Sequence, residues 1–210
     1  MNYFYLKGFN QNMRVLQAYY PGLEPEVFEA VAPDHPVLNV LTVSRLSMSD
    51  RYKGVGLLIE TVNRMHRDGI AVSLTIAGSG DAMDIFIKLA GPAVQFVQAP
   101  DDHELNLLYS RATVFALPST HEGQGLVYIE ALAFGLPIVA LKETVAEEFL
   151  TDRENALLIS QDADGLYEAL RYFGENRNER NRMAVNARRS FEAMQINQRF
   201  NKLVATIVED

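Results

Sequence analysis

The sequence predicts an α/β fold: a Rossmann-like parallel sheet flanked by helices, ending in a helical C-terminal tail. Three observations carry that expectation. From about residue 38, short β-branched runs alternate with stretches of helical spacing, the rhythm of parallel βα units rather than of a meander. Glycines fall between the end of an apolar run and the start of the next helical stretch, as at Gly78, Gly80, Gly123 and Gly125. Beyond Asp162 only helical patterns remain, so the sheet is front-loaded.

Leu38–Val43 is the first clear strand. After a polar loop, Leu58, Val62 and Met65 recur at helical spacing and Gly69 supplies a stop, which predicts a helix over about 54–68. Val72–Ala77 is the next strand, and Gly78-Ser79-Gly80-Asp81 turns the chain into a helix holding Met83, Ile87 and Leu89. A short strand at Val94–Val97 leads to the capping residues Asp101 and Asp102 and a helix through Tyr109. Residues 113–117 form another apolar strand, followed by a glycine-broken loop and an amphipathic helix. Gly135-Leu136-Pro137 ends that helix, because proline forbids its continuation, and leads into a strand at Ile138–Leu141. Residues 155–159 read as one more strand. Three helices are expected from Asp162 to the end, with polar breaks near Glu175 and Arg189. Residues 1–35, aromatic-rich at their start, fit no βα unit and are expected to be an N-terminal remnant or linker; 36–210 form one domain including the C-terminal helices.

Composition narrows the function classes. At 210 residues the chain supports one sizeable core. A net charge of −8 disfavours nucleic acid as the main partner, although a local cationic pocket for one diphosphate is compatible with it. No apolar run reaches membrane-span length. The absence of cysteine excludes a disulfide framework and any thiolate chemistry, and with no secretory leader a cytoplasmic location is expected. His35, His66, His103 and His121 lack zinc-ligand spacing. Asp162-Ala163-Asp164 has the form of a D-x-D metal motif, but it opens a helix, where acids offset the dipole. The late cations Arg177, Arg180, Arg182, Arg188 and Arg189 read as a solvated face.

The run Ser119-Thr120-His121-Glu122-Gly123-Gln124-Gly125-Leu126-Val127-Tyr128-Ile129-Glu130-Ala131 is the most informative stretch. Its amides at Gln124, Gly125 and Leu126 would face an anion along the helix axis, and Gly123 and Gly125 would let that backbone come close. Glu122, ahead of the helix, can accept from sugar hydroxyls, and Glu130, two turns in, can hold both hydroxyls of a ribose. Arg45 after the first strand and Lys53 before the next helix would project from the carboxyl edge of the sheet and meet a diphosphate. This reads as a nucleotide-sugar site. The plainer alternatives stand beside it: a dipole carboxylate, an exposed helix glutamate, solvated loop cations, and a purely structural turn at Gly78-Ser79-Gly80, which lacks the third glycine of a dinucleotide fingerprint.

The pattern P-S-x-x-E-G-x-G-L-V-x-x-E-A-x-A-x-G-x-P-I-V-A from Pro118 to Ala140 resembles the donor-binding signature of retaining glycosyltransferases of family four, which have the two-domain GT-B fold. Val43-Ser44-Arg45-Leu46 with Tyr52-Lys53-Gly54 resembles the family's diphosphate-binding arginine and lysine, and Ile76-Ala77-Gly78-Ser79-Gly80 its glycine turn. Asp101 to Tyr109 and Thr151 to Leu158 resemble flanking segments, so the likeness runs in order over about 36–172. It implies that residues 36–210 are the C-terminal, nucleotide-sugar-binding half of a hexosyltransferase using a UDP- or GDP-sugar. Arg45, Lys53 and Glu122 would act in catalysis. Gly78, Gly80, Gly123, Gln124, Gly125, Leu126 and Glu130 would bind the donor, with 98–101 near the base. The departing diphosphate would help to deprotonate the acceptor on the same face, with no cofactor and no metal.

The sequence also departs from that pattern. Gln124 stands where an aromatic is common between the motif glycines, Lys142-Glu143-Thr144-Val145 replaces a double-glycine turn, and Tyr20-Pro21-Gly22-Leu23-Glu24 replaces an asparagine-glycine turn. The acceptor-binding half that would precede this one has no room in 210 residues, so a separate N-terminal domain or partner chain is expected. A non-catalytic nucleotide-sugar-binding module and a nucleotide-sugar epimerase are the rival readings, and fold analogy alone does not separate them.

Overall fold

The computed structural model describes residues 37–123 and 125–208, with side chains through residue 195. The expected N-terminal remnant, the turn at Tyr20 to Glu24, and Gln124 lie outside the described residues. In chain order come β1 (Leu38–Val43), α1 (Val55–Arg67), β2 (Val72–Ala77), α2 (Met83–Leu89), β3 (Val94–Val97) and α3 (Asp102–Arg111). There follow β4 (Val114–Leu117), α4 (Leu126–Ala133), β5 (Ile138–Leu141), β6 (Ala156–Ile159), α5 (Ala163–Glu175) and α6 (Arg177–Val208). The Rossmann-like parallel sheet expected from the sequence is present.

Among the described residues the sheet has six parallel strands in the order β3-β2-β1-β4-β5-β6. Its register sets Leu38 beside Val72 and Val40 beside both Leu74 and Val114. Alternate residues face opposite sides, as the strand period demands. Val40, Leu74, Ile76, Val114 and Val139 join Leu58, Ile59 and Val62 of α1, Phe86 of α2 and Leu166, Leu170 and Phe173 of α5. Leu41, Phe115, Leu117, Ile138 and Ala140 join Tyr109 of α3, Tyr128 and Leu132 of α4 and Ala187 and Phe191 of α6. Every residue of β4 and β5 is buried, because helices cover both faces.

The strand order runs outward from β1 in one direction and from β4 in the other. The reversal leaves a crevice at the carboxyl ends of β1 and β4, the place where open α/β sheets bind ligands. That crevice receives the loops holding Arg45, Lys53, Glu122 and Gly125.

Four expectations are corrected. Arg180, expected on a solvated face, is 3% exposed, and its Nη1 donates to the Phe173 carbonyl at 2.9 Å. The loop after β1 contains a 3-10 turn at Met48–Lys53, capped by Ser47, whose side chain accepts from the Ser49 amide. The break near Glu175 exists, at Asn176, but the one near Arg189 does not, and α6 runs through it. The polar residues there are paired along a continuous helix: Arg188 Nε meets Glu192 Oε1 at 3.0 Å, one turn on, and no glycine or proline interrupts. Finally, Gly125 caps α4 at φ 64°, so Glu130 stands little more than one turn into the helix rather than two.

Candidate functional site

The site begins with two loops sewn together. The Leu46 amide donates to the Ser79 carbonyl at 2.9 Å, and the Ala82 amide to Leu46 at 2.8 Å. The approach is so close that a Cβ on Gly78, at φ 146°, would lie 1.9 Å from the Ser44 carbonyl oxygen, and one on Gly80 2.3 Å from that of Leu46. Asp81 accepts from the Met48 amide at 2.8 Å, a bond that holds its carboxyl below the usual carboxylate range. Gly78 and Gly80 therefore fix the course of the Arg45 loop.

The 3-10 turn then carries the chain to the loop after β4. Gly54 ends it at φ 70°, where a Cβ would sit 2.3 Å from the Pro118 carbonyl oxygen. The Thr120 amide donates to the Tyr52 carbonyl at 2.9 Å, and the Tyr52 and His121 rings meet edge to face at 6.1 Å. Ser119, fully buried, donates its hydroxyl to the His121 carbonyl at 2.8 Å.

This brings Lys53 and Glu122 into contact across 69 residues of sequence: Nζ lies 3.3 Å from Oε1, with 13% and 10% of the two side chains exposed. Oε1 has no hydrogen-bond partner among the described residues, so its acceptor capacity is not used up by the ion pair. Arg45, by contrast, is 75% exposed and leans on the buried carboxylate of Asp50, with Nε 3.1 Å from Oδ2 and Nη2 donating to Oδ1 at 3.4 Å. Tyr52 donates its hydroxyl to the same Oδ1 at 2.9 Å. That bond raises the Tyr52 pKa, with burial and the charges of Asp50 and Glu122 adding and Arg45 opposing, so the phenol senses both ends of the site.

Glu130 faces α3. Its Oε2 accepts from the buried Tyr109 hydroxyl at 2.7 Å. Burial pushes the Glu130 pKa up and the nearby Asp102 charge adds to it, while the Tyr109 hydroxyl opposes the shift. Tyr109 itself is raised by burial and by the carboxylate. Tyr128 donates to the Leu117 carbonyl at 3.2 Å, and burial, helped by Glu122, pushes its pKa far up.

Of the sequence-predicted residues, Lys53 and Glu122 touch, and Arg45 is joined to Lys53's turn through Asp50 and Tyr52. Gly125 and Leu126 open α4, and Gly123 is an open position with nothing within 4 Å of an added Cβ. Gly78 and Gly80 brace the Arg45 loop from β2. Asp50 and Tyr109 were not singled out by sequence reasoning: Asp50 sits among cations and reads as part of an exposed charged run, and Tyr109 reads as core. A separate hollow of about 330 Å³ lies between β6 and α5, lined by Arg153, Leu158 and Tyr172 among others, and includes none of these residues. Among the described residues no group of three metal-ligating side chains comes together. Asp162 caps α5 and Asp164 pairs with Arg64 at 2.6 Å, which accounts for both acids of the D-x-D run.

The sequence profile of the family described as glycosyl transferases group 1 matches residues 25–190. The chain is similar to glycogen synthase of Mycobacterium tuberculosis, with 33% identity over 150 residues covering 69% of this chain and 36% of that one. It is similar in fold to the pneumococcal O-GlcNAc transferase GtfA, solved with UDP and GlcNAc: TM-score 0.67, 22% identity, 82% of this chain and 36% of that one. The C-terminal domain of a group 1 glycosyl transferase, LpcC from Francisella tularensis, matches 75% of this chain over 86% of its own length, with TM-score 0.65 and 18% identity. The chain spans between 26% and 40% of the length of eight curated relatives that it matches. No helix among the described residues is long and apolar enough to cross a membrane.

Proposed function

We propose, since the chain belongs to the group 1 glycosyl transferases, that the crevice between β1 and β4 is the donor side of a retaining hexosyltransferase using a UDP- or GDP-sugar. The observation that carries this reading is the Lys53–Glu122 pair, which joins the two loops at the sheet's switch point with one cation and one acceptor carboxylate, both mostly shielded from water. Cleaving the bond between sugar and diphosphate leaves negative charge on the departing phosphate. Cations and oriented amides placed where that charge develops lower the barrier. Arg45 and Lys53 supply the cations, and the amides at the start of α4 supply the dipole.

Glu122 accepts from hydroxyls of the transferred sugar, and Glu130 from the ribose. Before the donor arrives, Lys53 and Glu122 neutralise each other. The donor parts them, because its phosphate takes the ammonium and its sugar takes the carboxylate. The acceptor proton passes to the leaving diphosphate on the face from which it departs, so configuration is retained without a protein nucleophile and without a metal. A second domain or chain supplies the acceptor, in keeping with the fraction of its relatives that this chain spans. A cytoplasmic location fits the cysteine-free sequence.

The same fraction favours a second reading, a nucleotide-sugar-binding module that does not itself catalyse transfer. Calorimetric titration with UDP, GDP and their hexose conjugates, followed by a donor hydrolysis and transfer assay with and without an acceptor-domain chain, separates the two. Binding with turnover when the second chain is added supports the transferase. Binding without turnover in both cases supports the module, and no binding of any nucleotide sinks both.

A further inference from the structure

Asp50 is a carboxylate that the donor reading does not use, yet its side chain is only 5% exposed: Oδ1 accepts from Arg45 and Tyr52, and Oδ2, which has no hydrogen-bond partner among the described residues, lies 3.1 Å from Arg45 Nε. It sits at the bend of the 3-10 turn, with φ −101° and ψ 21°, and its amide is tied to the Ser47 carbonyl at 3.0 Å. Such a backbone-anchored acid is a fixed point. Arg45 is the reverse: a long side chain, 75% exposed, on a loop. An exposed arginine with nothing to hold it samples many rotamers, and fixing it in one at the moment of binding costs side-chain entropy.

We propose that Asp50 is the positioning residue for Arg45, holding its guanidinium by the Nε edge so that the Nη1 edge is presented to the donor's diphosphate, and that Tyr52 holds Asp50 in turn. The proposal rests on the reading of Arg45 as a diphosphate ligand. A guanidinium has five N–H donors in a rigid plane. The Nη2 hydrogen bond to Oδ1 and the ion-pair approach of Nε to Oδ2 both use one edge of that plane, which leaves the Nη1 donors of this 75% exposed side chain to a ligand. The Tyr52 hydroxyl at 2.9 Å from Oδ1 opposes rotation of the carboxylate, and the Tyr52 carbonyl is bonded by the Thr120 amide. The chain of contacts therefore runs from Arg45 through Asp50 and Tyr52 into the loop that carries Glu122. Asp50 also partly neutralises Arg45, so its benefit lies in preorganisation rather than in charge.

The test is calorimetric titration of the full chain with UDP and with GDP, using wild type, Arg45→Ala, Asp50→Asn, Tyr52→Phe and the Arg45→Ala/Asp50→Asn double variant. Asp50→Asn should weaken nucleotide binding about tenfold, and Tyr52→Phe about threefold, the sizes expected for one charge-assisted and one neutral hydrogen bond. In the Arg45→Ala background Asp50→Asn should cost nothing further, since the group it positions is gone. Equal weakening in both backgrounds overturns the proposal and leaves the donor reading intact. Arg45→Ala binding like wild type, or no binding of either nucleotide by wild type, overturns that reading and this proposal with it. A ligand-free readout stands apart from affinity: the Arg45 Nε–H, followed by ¹⁵N NMR, should exchange faster with water in Tyr52→Phe and Asp50→Asn than in wild type. If Asp50→Asn does not fold, the Tyr52→Phe exchange rate decides, and a rate unchanged from wild type overturns the proposal.

Discussion

Lys53 and Glu122 share one ion pair, so each sets the price of freeing the other. In Glu122→Gln the ammonium loses its competitor while the side-chain shape is kept. Bare UDP or GDP should then bind about threefold to tenfold more tightly, because the diphosphate no longer has to break a shielded ion pair. The matching sugar nucleotide should bind more weakly, since its hydroxyls lose a charged acceptor. Titration with both ligands checks this, and equal weakening of the two would make Glu122 a structural residue. Glu130 gives a pH prediction. Its carboxyl holds a proton more tightly in the native protein than in the unfolded chain, chiefly through burial. No stability is lost below the unfolded carboxylate range, about pH 4. As pH rises from there through the raised native value, stability falls, and it stays lower at neutral pH. Glu130→Gln should therefore be more stable than wild type in urea at pH 7 and no different at pH 3.5. The same variant should bind nucleotide more weakly, and wild-type binding should strengthen as Glu130 ionises. A Glu130→Gln midpoint that is unchanged at pH 7 would remove the burial penalty from the account.

Among the elements, the strands and the first five helices were legible because their periodicities are local: alternating apolar residues and long apolar runs need no knowledge of the rest of the chain. The 3-10 turn at Met48–Lys53 was not, since six mostly polar residues carry no period and its shape depends on contacts with Asp81, Pro118 and Thr120. The roles of the glycines were equally hidden, because close approach is a long-range fact. Structure separates them. Gly78→Ala would drive a Cβ to 1.9 Å from a backbone oxygen on a φ that L-residues rarely adopt, and it should cost about 2–3 kcal/mol in urea unfolding. Gly123→Ala meets nothing within 4 Å and has no left-handed φ, so its effect on stability should stay within about 0.5 kcal/mol. Comparable losses at both positions would refute the division between a glycine that braces the loops and one that leaves room at the site.

At the scale of the whole molecule, alternating strands and helices announced a parallel sheet but not its strand order, which arises from how crossovers pack. Order decides function here: the reversal between β1 and β4 brings Lys53 to Glu122, whereas the sequence placed both at the sheet's carboxyl edge without showing that they touch. The continuity of α6 was likewise unreadable, since the Arg188-Arg189-Ser190 stretch looks like a break until its packing is known. α6 returns to the face of the sheet opposite α1 and lies against α4, with Ala187 and Phe191 buried in the same core as Tyr128 and Leu132, and with Arg188 Nη1 donating to the Ala133 carbonyl at the end of α4. The helix that carries Glu130 is thus held from behind by the tail. Phe191 is 5% exposed, and Phe191→Ala should destabilise the domain by about 3–5 kcal/mol, the cost of an aromatic cavity in a core. Because α4 is also held by β5 and by Tyr128 against Leu117, its first turn should keep its shape in the molecules that remain folded. UDP or GDP affinity, measured well below the unfolding midpoint, should therefore fall less than about tenfold. Unfolding unchanged by Phe191→Ala would mean that the tail is not part of the cooperative fold, and affinity lost in step with stability would mean that α6 shapes the site directly.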